Sequence, residues 1–156
     1  MAVKNAEEAL ARHLANASSQ KRLLGELAVA LGLPQPPERI EIYDNSHIQG
    51  KHAVGGMVVA GPEGFQKAAY RRFNIKDEGK FATQTGDDFA MMRQVMHRRF
   101  SRALKEDPDR LSGSWPDLLL IDGGLGQLSS VHKVLDALTI SDMQVVAISK
   151  GPDRHA

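Results

Sequence analysis

Four aliphatic residues, Leu118-Leu119-Leu120-Ile121, run without a polar break and stop at Asp122-Gly123-Gly124. An apolar run of this length predicts a strand covered on both faces of a sheet. Its terminal carboxylate then stands at the sheet's carboxyl edge, where open α/β sheets place their ligands. A plainer role for Asp122, tying down the Gly-Gly turn, fits the same position. Upstream the pattern is alternation. From Arg39 to Asp44, the residues Ile40, Ile42 and Asp44 share one face, and Asp44 closes its apolar side. Ala53 to Ala60 predicts a second strand, with Gly55-Gly56 as a bulge or point of close approach. Phe65 to Ile75 predicts a third. Asn45-Ser46-His47, Gln49-Gly50-Lys51 and Pro62-Glu63-Gly64 read as turns, so these strands form an antiparallel meander.

Helical spacing replaces alternation in three places. Asn5 to Leu31 opens on a capping-box pair, Asn5 and Glu8, and closes at Gly32 and Pro34. Ala17-Ser18-Ser19 is its weak point. With the stiff Gln35-Pro36-Pro37 link, residues 1–37 read as a helical connector to a domain over 38–156. From near Gly86 to about Leu104, Phe89, Met92, Met96, Phe100 and Ala103 recur at helical spacing. Asp88 precedes Met92 by four and Val95 by seven, so it is expected on the inward face. Asp87 suits the ordinary role of an acid at a helix N-terminus. Gly124 to Leu138 predicts a helix with Leu128, Val131, Leu135 and Leu138 inward, and Val145 to Ser149 a short buried strand. Glu106 to Ser114 is expected to be a mobile loop.

Three antiparallel strands followed by helix, strand, helix and strand give an α/β domain with a mixed five-stranded sheet flanked by helices. A parallel strand needs a crossover helix, so the strand ending at Asp122 is expected to run parallel to the first. If the two are neighbours, Asp44 and Asp122 leave the sheet at one end, and the crossover helix presents Asp88 beside them. Three gathered carboxylates repel unless a hard divalent cation sits among them, and oxygen ligands suit Mg²⁺ or Mn²⁺. Such a site can hold a phosphodiester, sharpen a water into a nucleophile and stabilise the leaving oxygen.

Composition narrows the classes. The 156 residues are 42% hydrophobic and 25% charged, enough for one domain with a real core. The net charge is +1, so bulk electrostatics do not announce a nucleic-acid binder. The basic residues nevertheless cluster, in Tyr70-Arg71-Arg72, His97-Arg98-Arg99 and Lys150 to Arg154. Cysteine is absent, which excludes disulfides and thiolate metal sites and fits a reducing compartment. No apolar run approaches membrane-spanning length, and the expected location is cytoplasmic. Gly124-Leu125-Gly126 invites a nucleotide-binding reading, but Ser129 stands where a third glycine belongs and the preceding meander is wrong for that fold.

Tyr43-Asp44-Asn45-Ser46-His47, Tyr70-Arg71-Arg72-Phe73, Gly86-Asp87-Asp88-Phe89-Ala90-Met91, Pro116-Asp117 through Leu128, and Lys150-Gly151-Pro152-Asp153-Arg154 resemble, in order, the C-terminal endonuclease domain of the UvrC family. The resemblance covers nearly all of the chain from about Arg39. It implies a ribonuclease H-like fold and nucleotide excision repair, with a cut on the 5′ side of a lesion in a complex of UvrB and damaged DNA. It places the catalytic and metal-binding aspartates on Asp44, Asp88 and Asp122. His47 can touch metal or phosphate, or be a turn histidine bonded to backbone. Arg71, Arg72, Lys150 and Arg154 are candidates for phosphate contacts, with structural ion pairing as the alternative, which is preferred for Arg98 and Arg99. Asn45 departs from an isoleucine common in the family. The family's catalytic histidine and last strand-helix portion are implied to lie outside this sequence, and His155 does not match that motif. The fragment alone is therefore expected to be weak or inactive, or to act as a non-catalytic module docking DNA or UvrB.

Overall fold

The computed structural model describes residues 5–7, 20–48, 52–75 and 88–148, with backbone alone for 20, 21, 23, 46–48, 52 and 53. In order these form α1 (Gln20–Leu31), β1 (Ile40–Ile48), β2 (His52–Gly61), β3 (Gly64–Phe65), a 3₁₀ turn (Lys67–Ala69) and β4 (Arg71–Asn74). There follow α2 (Asp88–Glu106), β5 (Leu118–Asp122), α3 (Leu125–Ala137) and β6 (Val145–Ile148). One sheet runs β3-β2-β1-β5-β6, with β4 also on β2. β5 lies parallel to both β1 and β6, while β2 is antiparallel to β1, β3 and β4. The strand ending at Asp122 is thus the parallel neighbour of the first, as the crossover helix between them requires.

The unbroken run in β5 is explained by two layers. Leu119 and Ile121 join Tyr43, Met57 and Val59 under α2 and α3, against Met92, Val95, Phe100, Val131 and Leu135. Leu118 and Leu120 join Ile40, Ile42 and Val58 on the opposite face, where Leu24 of α1 and Ala6 cover them. Residues 5–7 are held there too, since the Tyr70 hydroxyl donates to Glu7 at 2.7 Å. Residues 8–19 of the expected first helix lie outside the described residues.

The sheet has six strands where five were expected, because the stretch from Phe65 to Ile75 is interrupted. Gln66-Lys67-Ala68-Ala69 contains no β-branched residue and good helix formers. It closes a 3₁₀ turn through Ala69 N–H to Gln66 O and Tyr70 N–H to Lys67 O, then rejoins β2 at Arg71. β1 also differs. Asn45-Ser46-His47 continue the strand, pairing with Gly55, Val54 and Ala53. The apolar pattern ends at Asp44, but main-chain pairing to β2 does not. β6 is half-buried along its length, not buried, and Leu128 and Leu138 are half-buried. The loop after α2 is organised instead of loose: Asp107 accepts from the Leu111 and Ser112 N–H groups and the Ser112 hydroxyl, and Trp115 Nε1 donates to Asp107 O.

Candidate active site

The parallel ladder of β1 and β5 ends with Tyr43 opposite Ile121. The next residue on each strand is an aspartate, Asp44 on β1 and Asp122 on β5. Strand alternation puts Asp44 with Ile42 and Asp122 with Leu120, so both acids belong to one face and one edge. Asp44 is 8% exposed and Asp122 half-buried. Asp44 has a polar partner, as a buried carboxylate requires.

Asp88 comes from the other layer. It is the first residue of α2 and is exposed, not inward as its spacing to Met92 and Val95 suggested. Those two residues are buried, but a helical Cα–Cβ bond tilts toward the helix N-terminus, and Asp88, in first position, is exposed together with Phe89. Two close contacts fix that start. A Cβ added to Gly55 would stand 2.5 Å from Val95 Cγ2, and one on Gly126 would stand 2.5 Å from Phe89 Cζ. The first turns of α2 therefore cross β2 beside Asn45 and reach the opening turn of α3, which follows Asp122. Among the described residues, no group of three or more acids or histidines has metal-holding geometry, so the three aspartates do not converge as one such group.

Cross-strand register extends the edge sideways. Asp44 pairs with Gly56 and Gly56 with Arg72. At about 4.8 Å between strands, the Cα atoms of Asp44 and Arg72 are roughly 10 Å apart on one face. Arg72 is exposed. Arg71, its neighbour, points to the α2 side. His47 lies in β1, with its side chain outside the described residues, as are Lys150 and Arg154. Of the two helix arginines, Arg99 is in a structural pair: it and Arg39 reach the fully buried Glu41 at 2.6 and 3.0 Å. The Tyr43 hydroxyl donates to the same carboxylate, and burial with that neighbouring charge holds its pKa well above the usual phenol range. Arg98 donates instead to Asn74 O and Gln94 Oε1.

Two carboxamides stand at this edge, Asn45, noted in the sequence only as a departure from isoleucine, and Gln127, which the sequence reading gave no role. Gln127 is 8% exposed and its Oε1 has no partner among the described residues; both polar atoms of the Asn45 amide are likewise buried and without a partner among them. Gln127 folds back on the turn after Asp122, its Cγ 2.5 Å from where a Gly123 Cβ would sit. For Gln127 the sequence signal was position, since it lies five residues after Asp122.

A mixed sheet whose central parallel pair ends in two acids, with helices on both faces, defines a ribonuclease H-like α/β domain. Residues 28–156 match the model of the UvrC RNAse H endonuclease domain, and the chain belongs to that family. It is 61% identical over 155 residues to the UvrABC system protein C of Rhodospirillum rubrum, covering 99% of this chain and 24% of that protein. Identity to its counterpart in Zymomonas mobilis is 57% over 155 residues, covering 99% of this chain and 23% of that protein. The chain thus spans about a quarter of the length of these curated relatives. Among solved structures, Ciona intestinalis endonuclease V in complex with an inosine-containing DNA is similar with a TM-score of 0.49 at 13% identity, covering 74% of this chain and 47% of that one. No helix of the described residues is long and apolar enough to cross a membrane.

Proposed function

We propose that this domain hydrolyses a DNA phosphodiester on the 5′ side of a lesion, as the incising part of a cytoplasmic excision-repair complex with UvrB. The observation that carries the reading is the placement of Asp44 and Asp122 side by side where the parallel β1–β5 ladder ends, in a chain of this family. The donor set fits a hard cation: it is all oxygen, and Mg²⁺ commonly takes one or two carboxylates, with water and substrate phosphate filling the other positions. Asp44 and Asp122 would hold Mg²⁺ or Mn²⁺, with Asp88, at the start of α2, as the proposed third ligand. The cation supplies Lewis-acid stabilisation of the phosphoryl oxygens and a more acidic water. The protein's own part is positional. The sheet edge fixes two carboxylates at one level, and Arg72, in the same row, meets a neighbouring phosphate and orients the strand without reading sequence. Lys150 and Arg154 complete the proposed phosphate contacts at this site, Arg71 is a proposed phosphate contact on the opposite, α2 face of the sheet, and His47 is proposed as an accessory group near Asp44.

The test is incision of a lesion-bearing duplex by the full-length protein with UvrB and Mg²⁺. Asp44→Ala should abolish the 5′ cut while DNA binding persists. An unchanged 5′ cut would reject the assignment.

A further inference from the structure

On the face of the sheet away from Asp44, the second half of α2, β4 and the start of β1 enclose a cavity of about 320 Å³. Arg39, Arg71, Phe73, Arg98, Arg99 and Arg102 line it. Five guanidinium groups around one space repel each other, and three carboxylates stand against them. Glu41, behind the wall, takes Arg39 and Arg99. Glu106 takes Arg102 at the surface at 2.9 Å. Asp107 is occupied by its own loop, through Leu111 and Ser112.

Arg71 and Arg98 donate to uncharged oxygens. Arg71 reaches Tyr70 O at 2.8 Å, and Arg98 reaches Asn74 O and, at 3.3 Å, Gln94 Oε1. Phe73 backs Arg98, whose guanidinium carbon lies 5.5 Å from the ring centroid. Arg71 and Phe73 are two apart on β4 and so share a side, which puts Arg71 and the Phe73-backed Arg98 on the same wall of the cavity. Carbonyls and an aromatic face hold them in place, so little freedom is lost when an anion arrives.

We propose that this cavity is a second phosphate-binding site, separate from the aspartate pair, in which Arg71 and Arg98 grip one phosphate group. The planar fork of arginine matches phosphate oxygens two at a time. A volume at the low end of ligand pockets admits a phosphate group with its sugar, but not a folded peptide. The phosphate comes from a duplex backbone reaching round the β4 edge or from a free phosphate compound. The duplex source rests on the nuclease reading above; the free source does not.

Two measurements on this chain separate the sources. Duplex binding is followed by fluorescence anisotropy at stepped salt, and pyrophosphate binding by calorimetry. For a duplex phosphate, Arg71→Gln and Arg98→Gln each lower the log–log salt slope by about one, and Arg98→Lys, which keeps the charge, largely preserves it. The exposed Arg22→Gln serves as control and leaves the slope unchanged. For a free ligand, pyrophosphate gives heat that both glutamine variants lose, with the slope unmoved. Folded glutamine variants that change neither quantity overturn the proposal, as does a cavity that binds polyglutamate and not pyrophosphate. Variants that melt like the wild type exclude unfolding as the cause. Should Asp44→Ala leave incision intact while the slopes still fall, the nuclease reading fails and the phosphate site stands.

Discussion

Asp44 and Arg72 lie in one row of the sheet, separated only by Gly56 on the strand between them. The row places a carboxylate and a guanidinium on the same face with a side-chain-free residue between them. Arg72 should therefore act on the nucleic acid and not on the fold. Arg72→Gln is expected to weaken duplex binding about equally across sequences and to lower the salt slope by about one, with melting temperature unchanged. Salt-dependent anisotropy measures it, and an unchanged slope would remove Arg72 from the interface.

Asn45 buries a carboxamide that has no partner among the described residues, beside Gly55 and Val95. A desolvated, unpaired amide costs about 1–3 kcal/mol. Asn45→Ile should raise stability by that order, read as a higher denaturant midpoint at constant slope. A lower midpoint would show that the amide is satisfied in solution.

Gly55 is glycine because α2 leaves no room for more. Gly55→Ala would put its Cβ 2.5 Å from Val95 Cγ2, a clash of the overpacking kind that costs about 1–3 kcal/mol. Val95→Ala in the same chain should recover part of that loss, and a double-mutant cycle measures the coupling. Additive losses would mean that α2 does not sit as described.

The loop after α2 should loosen in acid. Hydrogen bonds from Ser112 and the backbone hold Asp107 below the ordinary carboxylate range, and Arg110 does the same for Asp142. A carboxylate whose folded pKa is depressed stabilises the fold fully above its unfolded pKa and loses that contribution as pH falls through the folded value. The stability gap between wild type and Asp107→Asn should be full at neutral pH and close below the usual carboxylate range. Melting curves from neutral to acid pH would show it; a gap constant with pH would argue against the loop's hydrogen bonds.

What could be read from the sequence was whatever leaves a periodic or chemical trace. Leu118 to Ile121 announced a doubly covered strand, and the crossover rule then put Asp44 and Asp122 on neighbouring strands. Features set by distant partners left no such trace. Glu41 looks like a solvent-facing residue in an alternating strand, yet it is buried by Arg99, 58 positions away. The break between β3 and β4 depends on a local 3₁₀ turn that alternation cannot signal. Asp88 has inward spacing, but it is the first residue of α2 and exposed, and periodicity does not encode where a helix starts.

The most direct test is the rate of 5′ incision by full-length protein carrying Asp122→Asn, on a lesion-bearing duplex with UvrB and saturating Mg²⁺, alongside circular dichroism of the same variant. A folded variant with no detectable 5′ cut is the result expected if the adjacent aspartates of β1 and β5 form the reaction centre. A folded variant that cuts at the wild-type rate would contradict it.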